Sequence, residues 1–302
     1  MRFSLWTNLS QPWSEVVDGV THVEATGWDG VYVADHFMAD AGGPFPADLP
    51  MFEATAALSA LASMTERVRL AALVFGITYR HPAVLAKWAA TTDHISDGRL
   101  LLGLGAGWQE NEHEQYGIAL GPPGQRVDRF AEALQVVRGL LDDDTTTVEG
   151  DHYTVRDAIA WPKPVQRHLP ILVGATGPRM LGVVARHADE WNMWSLPPDL
   201  AERRAVLDQR CQAIGRDPGD IATSTQALFF VLDNNDEAET WIEMVKGRPC
   251  VAGTADRIAE SVAAWRDAGV DEVIVPDFTL GTGNQRADAL DTIIEQVAPN
   301  FR

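Results

Sequence analysis

Residues Gly98 to Gly117 read GRLLLGLGAGWQENEHEQYG. Leu100, Leu101, Leu102 and Leu104 form a short apolar run that predicts a buried strand. Gly103, Gly105 and Gly107 then predict a turn at its C-terminal end, where glycine lets the backbone take positive φ or lie flat against a bound ring. Chains use that arrangement to hold cofactors. The spacing misses the dinucleotide fingerprint, because Trp108 stands where the third glycine should be. No Lys-Ser or Lys-Thr follows, so it is not a phosphate-binding P-loop either.

Outward from this stretch, strand-like and helix-like segments alternate. Strands are expected at 3–6, 30–34, 68–75, 99–104, 170–173, 190–193, 222–232 and 272–276. Helical periodicity is clearest at 52–62, 83–95, 126–141, 178–188 and 255–268. Repeated βα alternation argues for a parallel sheet, and eight repeats argue for a closed (β/α)8 (TIM) barrel over 1–302 as one domain. A local echo supports repetition: Glu24 to Val33 and Asp267 to Val275 both place a helix end, a glycine, an Asp and an apolar strand in that order. Two departures from a minimal barrel are expected. A Gly/Pro-rich lid loop at 38–51 follows the second strand, and an insertion with a hairpin near 147–154 lies between the fourth and fifth strands.

Composition narrows the function classes. Against 43 Asp and Glu stand 24 Lys and Arg, and the net charge of −19 disfavours nucleic acid and anionic membrane surfaces as partners. Two cysteines, Cys211 and Cys250, give neither a disulfide framework nor metal-ligand spacing. No signal peptide or membrane-spanning apolar run is evident, so a cytoplasmic protein acting on a small molecule is expected.

In a barrel the site gathers at the C-terminal strand ends. Those ends are rich in Gly, Trp and amides and poor in titratable groups, a lining suited to a flat aromatic cofactor. Asp35-His36 is the acid–histidine pair among them, and His36 is the candidate for chemistry near neutral pH. Glu110, Glu112, His113 and Glu114 lack metal-site spacing and read as a solvated acidic helix start, so no metal is expected. Gly174, Ala175, Thr176 and Gly177 precede Pro178, leaving a phosphate site at a helix N-terminus or a simple capped turn. Trp6, Trp108, Trp191 and Trp194 read as a stacking pocket or as ordinary core. Arg80, His81 and Arg179 are the cations on offer to an anionic cofactor tail, and Thr254 reads as a helix N-cap.

VYVADHF (31–37), RVRLAALVFGITYRHPAVLAK (67–87), the opening stretch and PILVGATGPRMLGVVARHADEWN (170–192) together resemble the luciferase-like monooxygenase superfamily, and within it the coenzyme F420-dependent oxidoreductases. The resemblance implies a barrel, usually a homodimer, with the cofactor across the C-terminal face. It implies that Asp35 and His36 lie near the deazaflavin or isoalloxazine ring. A non-prolyl cis peptide at Leu73-Val74 is implied behind that ring. Gly105, Ala106, Gly107 and Asn111 would line the cofactor, and Gly174 to Gly177 would take its phosphate. Trp6, Trp108 and Trp194 would border the substrate. Sugar-phosphate dehydrogenases of the family carry a Glu where this chain has Trp108, which speaks against sugar oxidation. The implied reaction is hydride transfer between F420 C5 and an unidentified small organic substrate. The alternative is an FMN-dependent monooxygenase using O2.

Overall fold

A computed structural model of the chain describes residues 1–41, 46 and 48–302. In chain order the elements begin with β1 (Arg2–Thr7), α1 (Trp13–Ala25), β2 (Gly30–Val33), α2 (Ala54–Met64), β3 (Arg69–Ala72), β4 (Phe75–Gly76) and α3 (Pro82–Ile95). Next come β5 (Leu100–Gly105), α4 (Glu110–Gln115), α5 (Pro123–Asp142), β6 (Thr146–Glu149), β7 (Thr154–Ala158), β8 (Ile171–Gly174) and α6 (Pro178–His187). The last are β9 (Glu190–Trp194), α7 (Pro197–Ala213), β10 (Ala222–Gln226), β11 (Leu228–Val231), α8 (Ala238–Met244), β12 (Cys250–Gly253), α9 (Ala255–Asp267), β13 (Glu272–Pro276) and α10 (Gly283–Asp291).

The large sheet runs β3-β2-β1-β13-β10-β9-β8-β5-β4, and β3 also pairs with β5, which closes the order into the expected (β/α)8 barrel. Each strand segment expected from the sequence supplies a strand of this sheet. Two of them are broken. The segment 68–75 is interrupted between β3 and β4 at Leu73-Val74, and 222–232 divides at Ala227 into β10 and β11. β11 leaves the large sheet to pair in parallel with β12, a strand the sequence reading did not anticipate.

One compact unit comprises Met1–Tyr32, Arg67–Arg69 and Ala175–Arg302. Its strand starts are tied by a repeated junction, the physical form of the sequence echo. After α1 and after α9, Gly27 and Gly269 take φ of 89° and 86°, the left-handed stop that glycine adopts without a Cβ clash. The Asp that follows then reaches the neighbouring strand. Phe3 N–H donates to Asp29 Oδ2 at 2.8 Å, and Thr223 N–H donates to Asp271 Oδ2 at 2.8 Å. Deeper at the same strand starts, Glu272 is buried and accepts from Arg2 Nε at 2.9 Å, Ser4 Oγ at 2.5 Å, Tyr32 Oη at 3.1 Å and Arg69 Nη1 at 3.3 Å. Arg69 also donates to Glu190 at 2.6 Å. A satellite core of Leu228, Phe230, Ala238, Cys250 and Ala252 packs under Trp194, Trp241 and Phe278. Thr254 does precede α9, but its side chain makes no cap bond; instead its N–H donates to Asn235 Oδ1 at 2.9 Å.

The other unit comprises Val33–Glu66 and Leu70–Gly174. It holds α2, α3 and α5 around β5 and β8, and the insertion appears as α4, α5 and the antiparallel hairpin β6–β7. Of the expected lid at 38–51, residues 42–45 and 47 lie outside the described residues. Among the described residues no helix is long and apolar enough to cross a membrane.

Candidate active site

The glycines after the leucine run work differently from the sequence expectation. Gly107 has positive φ, at 81°, whereas Gly103 and Gly105 do not. A Cβ on Gly103 would lie 2.0 Å from Ala72 O, and one on Gly105 would lie 2.6 Å from Val74 Cγ2. The Leu73-Val74 peptide is cis, and the Val74 side chain also comes within 3.2 Å of a Cβ built on Gly174. The space these glycines leave is therefore filled by the protein's own β3–β4 bulge, not held open. Gly103→Ala is expected to lower the unfolding free energy by about 3 kcal/mol, since backbone must move, and Gly105→Ala by less, since a side-chain methyl can turn. Urea denaturation of both variants measures this; equal losses would contradict it.

His36 follows β2, half-buried, and its Nδ1 lies 2.7 Å from Glu112 Oε1. Trp108, 58% exposed, meets the His36 ring edge-on at 5.5 Å between centroids. Nε2 of His36 has no hydrogen-bond partner among the described residues. Glu112 also accepts from the Tyr79 hydroxyl and, at 2.7 Å, from Phe37 N–H. The acidic segment is thus not uniformly solvated as expected. Glu110 and Glu114 are exposed, while Glu112 and His113 are buried. His113 is engaged at both nitrogens, with Gln109 O at 2.6 Å and Thr78 Oγ1 at 2.7 Å. Asn111 Nδ2 donates to Ala39 O at 2.9 Å, and its buried Oδ1 has no partner among the described residues.

Asp35 and Arg80 take each other out of play. Arg80 donates to Asp35 at 2.7 Å and 2.9 Å and also pairs with Glu53, so it is not a free cation for an anionic tail. Gly76 N–H donates to Asp35 at 3.0 Å. Burial pushes the Asp35 carboxyl above the usual carboxylate range, and Arg80 and the Gly76 amide only partly oppose it. Asp35 braces the β3–β4 bulge through these bonds. His81 caps α3, its Nδ1 accepting from Ala83 N at 3.2 Å.

In the first unit, Trp6 and Trp194 lie at strand ends, edge-to-face at 5.4 Å, with Phe278 5.0 Å from Trp6. Both indole N–H groups are buried and have no partner among the described residues. Trp191 is core, and its Nε1 donates to Ala175 O at 2.8 Å. Pro178 opens α6 as expected, no side chain caps that helix start, and a Cβ on Gly177 would meet nothing within 4 Å. Thr176 is exposed beside it. Asp277, directly after β13, accepts from Thr7 Oγ1, Asn8 N and Gln11 Nε2 at 3.1, 2.9 and 3.2 Å. Burial pushes its carboxyl up to about 6, although Arg286 and these donors pull the other way.

Sequence reading missed the roles of Glu112 and Tyr79.

The sequence pattern of luciferase-like monooxygenases matches residues 1–249. An uncharacterized protein of Mycobacterium tuberculosis is 34% identical over 211 residues, 69% of this chain and 71% of that one. The F420-dependent glucose-6-phosphate dehydrogenase of Microbacterium testaceum is 33% identical over 232 residues, 74% of this chain and 66% of that one. Among solved structures, the coenzyme F420-dependent tetrahydromethanopterin reductase of Methanopyrus kandleri superimposes with a TM-score of 0.82 at 18% identity, covering 100% of this chain and 99% of that one, a likeness of fold. This chain belongs to the luciferase-like monooxygenase family of oxidoreductases.

Proposed function

We propose that the chain is an F420-dependent oxidoreductase acting on a small organic substrate other than a sugar phosphate, with His36 as the group that handles the proton. The observation that carries this reading is His36 itself. One ring nitrogen is anchored on a buried carboxylate and the other has no partner among the described residues, beside an exposed Trp108. A bound deazaflavin would supply or take up the hydride at C5. The residues present fit such a group. Asn111 Oδ1, which has no partner among the described residues, could accept from a ring or chain donor, in the unit that also carries His36. In the other unit, the uncapped α6 start with open space at Gly177 suits a phosphate, whose charge the helix N-terminus favours. Gly105, Ala106 and Gly107 act here through their backbone. Leu73 and Val74 would back the ring and Trp108 would border the substrate in the unit that carries His36, while Trp6 and Trp194 of the other unit are substrate-pocket residues on the family resemblance alone. The homodimer implied by the resemblance belongs to the same proposal.

Trp108 is the reason to set sugar phosphates aside. An exposed indole offers apolar area and one N–H donor, and no acid–base function. The family's monooxygenases keep a second reading alive, an FMN-dependent monooxygenase using O2. Titrating the protein with F420 and with FMN, followed by tryptophan fluorescence quenching, separates the two. Micromolar affinity for F420 is expected; tight FMN binding with none of F420 would overturn the proposal.

A further inference from the structure

Glu112 is a carboxylate that neither the sequence nor the family resemblance singled out as a site residue. It sits on the one-and-a-half turns of α4, fully buried, with three donors around it. His36 Nδ1 and the Tyr79 hydroxyl meet Oε1, and Phe37 N–H meets Oε2. Burial alone would raise this carboxyl, but the hydrogen bond and charge of His36, with Tyr79 and Phe37 N–H, outweigh it and hold the group below its ordinary value. The Tyr79 phenol is held well above its ordinary value, first by burial and then by Glu112, so it keeps its proton and donates. An ionised carboxylate only accepts hydrogen bonds. Facing it, the nitrogen that carries hydrogen in neutral His36 has to be Nδ1, which leaves the lone pair on Nε2.

We propose that Glu112 is a positioning residue that fixes His36 in the Nδ1–H tautomer and thereby makes Nε2 the atom that accepts or gives the proton. The tautomer follows from the geometry around Glu112; its consequence for turnover rests on the proposed function.

Glu112→Gln gives a sharp test because the amide has one favourable orientation. Its oxygen has to face Phe37 N–H, since turning the NH2 there would oppose two donors. The NH2 then faces His36 Nδ1 and Tyr79 Oη, both of which can accept. The tautomer should therefore reverse. Nitrogen-15 NMR of the full-length protein with labelled histidine, followed as pH is raised until the ring signals stop moving, reads the two nitrogens of the neutral ring directly. The His36 signals are identified by their loss in His36→Ala. Wild type should show Nδ1–H as the major tautomer and Glu112→Gln should show Nε2–H as the major one, as the donor inventory requires. In F420H2-dependent reduction of cyclohex-2-enone, an electrophilic alkene used as probe, kcat should fall about 10²-fold with KM little changed, the signature of a misplaced proton donor. A wild-type Nε2–H tautomer, or a tautomer unchanged by the amide, overturns the proposal. Should Glu112→Gln fail to fold, the wild-type spectrum alone decides. If the tautomer reverses but neither protein binds F420, the positioning role stands and the F420 reading falls.

Discussion

Glu272→Ala is expected to lower the unfolding free energy by about 3–5 kcal/mol, the usual cost of removing one partner from a buried ionic network. Its carboxylate is buried and receives two guanidinium groups, a serine hydroxyl and a tyrosine hydroxyl. Removing it takes the buried acceptor from the Ser4 and Tyr32 hydroxyls and leaves Arg2 and Arg69 with Glu190 as the carboxylate they share. Neither Arg2 nor Arg69 can escape by losing its proton, since a guanidinium keeps its charge in a protein. Denaturant unfolding measures the loss, and a change below about 1 kcal/mol would mean that the network is no better than a surface pair.

His36→Ala is expected to reduce turnover about 10²–10⁴-fold, the range for loss of a positioned acid or base. Its effect on stability should stay within about 2 kcal/mol, because Glu112 keeps two of its three donors. The enone reduction with F420H2 reads the first quantity and thermal unfolding the second. Turnover equal to wild type would remove His36 from the chemistry and leave it a packing residue on Trp108.

Much of the frame could be read before any coordinates. The leucine run before Gly103 marks β5, Pro178 marks the start of α6, and the paired Gly27-Asp29 and Gly269-Asp271 junctions show in the sequence as an echo. These are local signals, set by backbone geometry within a few residues. The site was less legible because its decisive contacts are not local. His36 and Glu112 are 76 positions apart, and Glu112 sits among acidic neighbours that are exposed. A six-residue helix carries too little periodicity to say which of them turns inward. The same limit applied to Arg80, whose charge looked available until Asp35 and Glu53 were seen to claim it. It applied again to Gly105, whose empty space belongs to Val74.

The carboxylate at the start of β13 also bears on how the strand finds its place. β1 and β13 pair in parallel, Arg2 opposite Glu272 and Trp6 opposite Pro276, with 270 positions between the first two. No tight hairpin turn can set the alignment of such a pair. Sliding β13 by one residue would turn Glu272 to the opposite face, away from Ser4, Tyr32 and Arg69. A misaligned strand would then bury an uncompensated charge at one end and displace Asp277 from Thr7 and Asn8 at the other. Glu272 thus favours the native register over a one-residue slip, and the same register sets Asp277 beside Thr7 and Asn8 at the far ends of both strands.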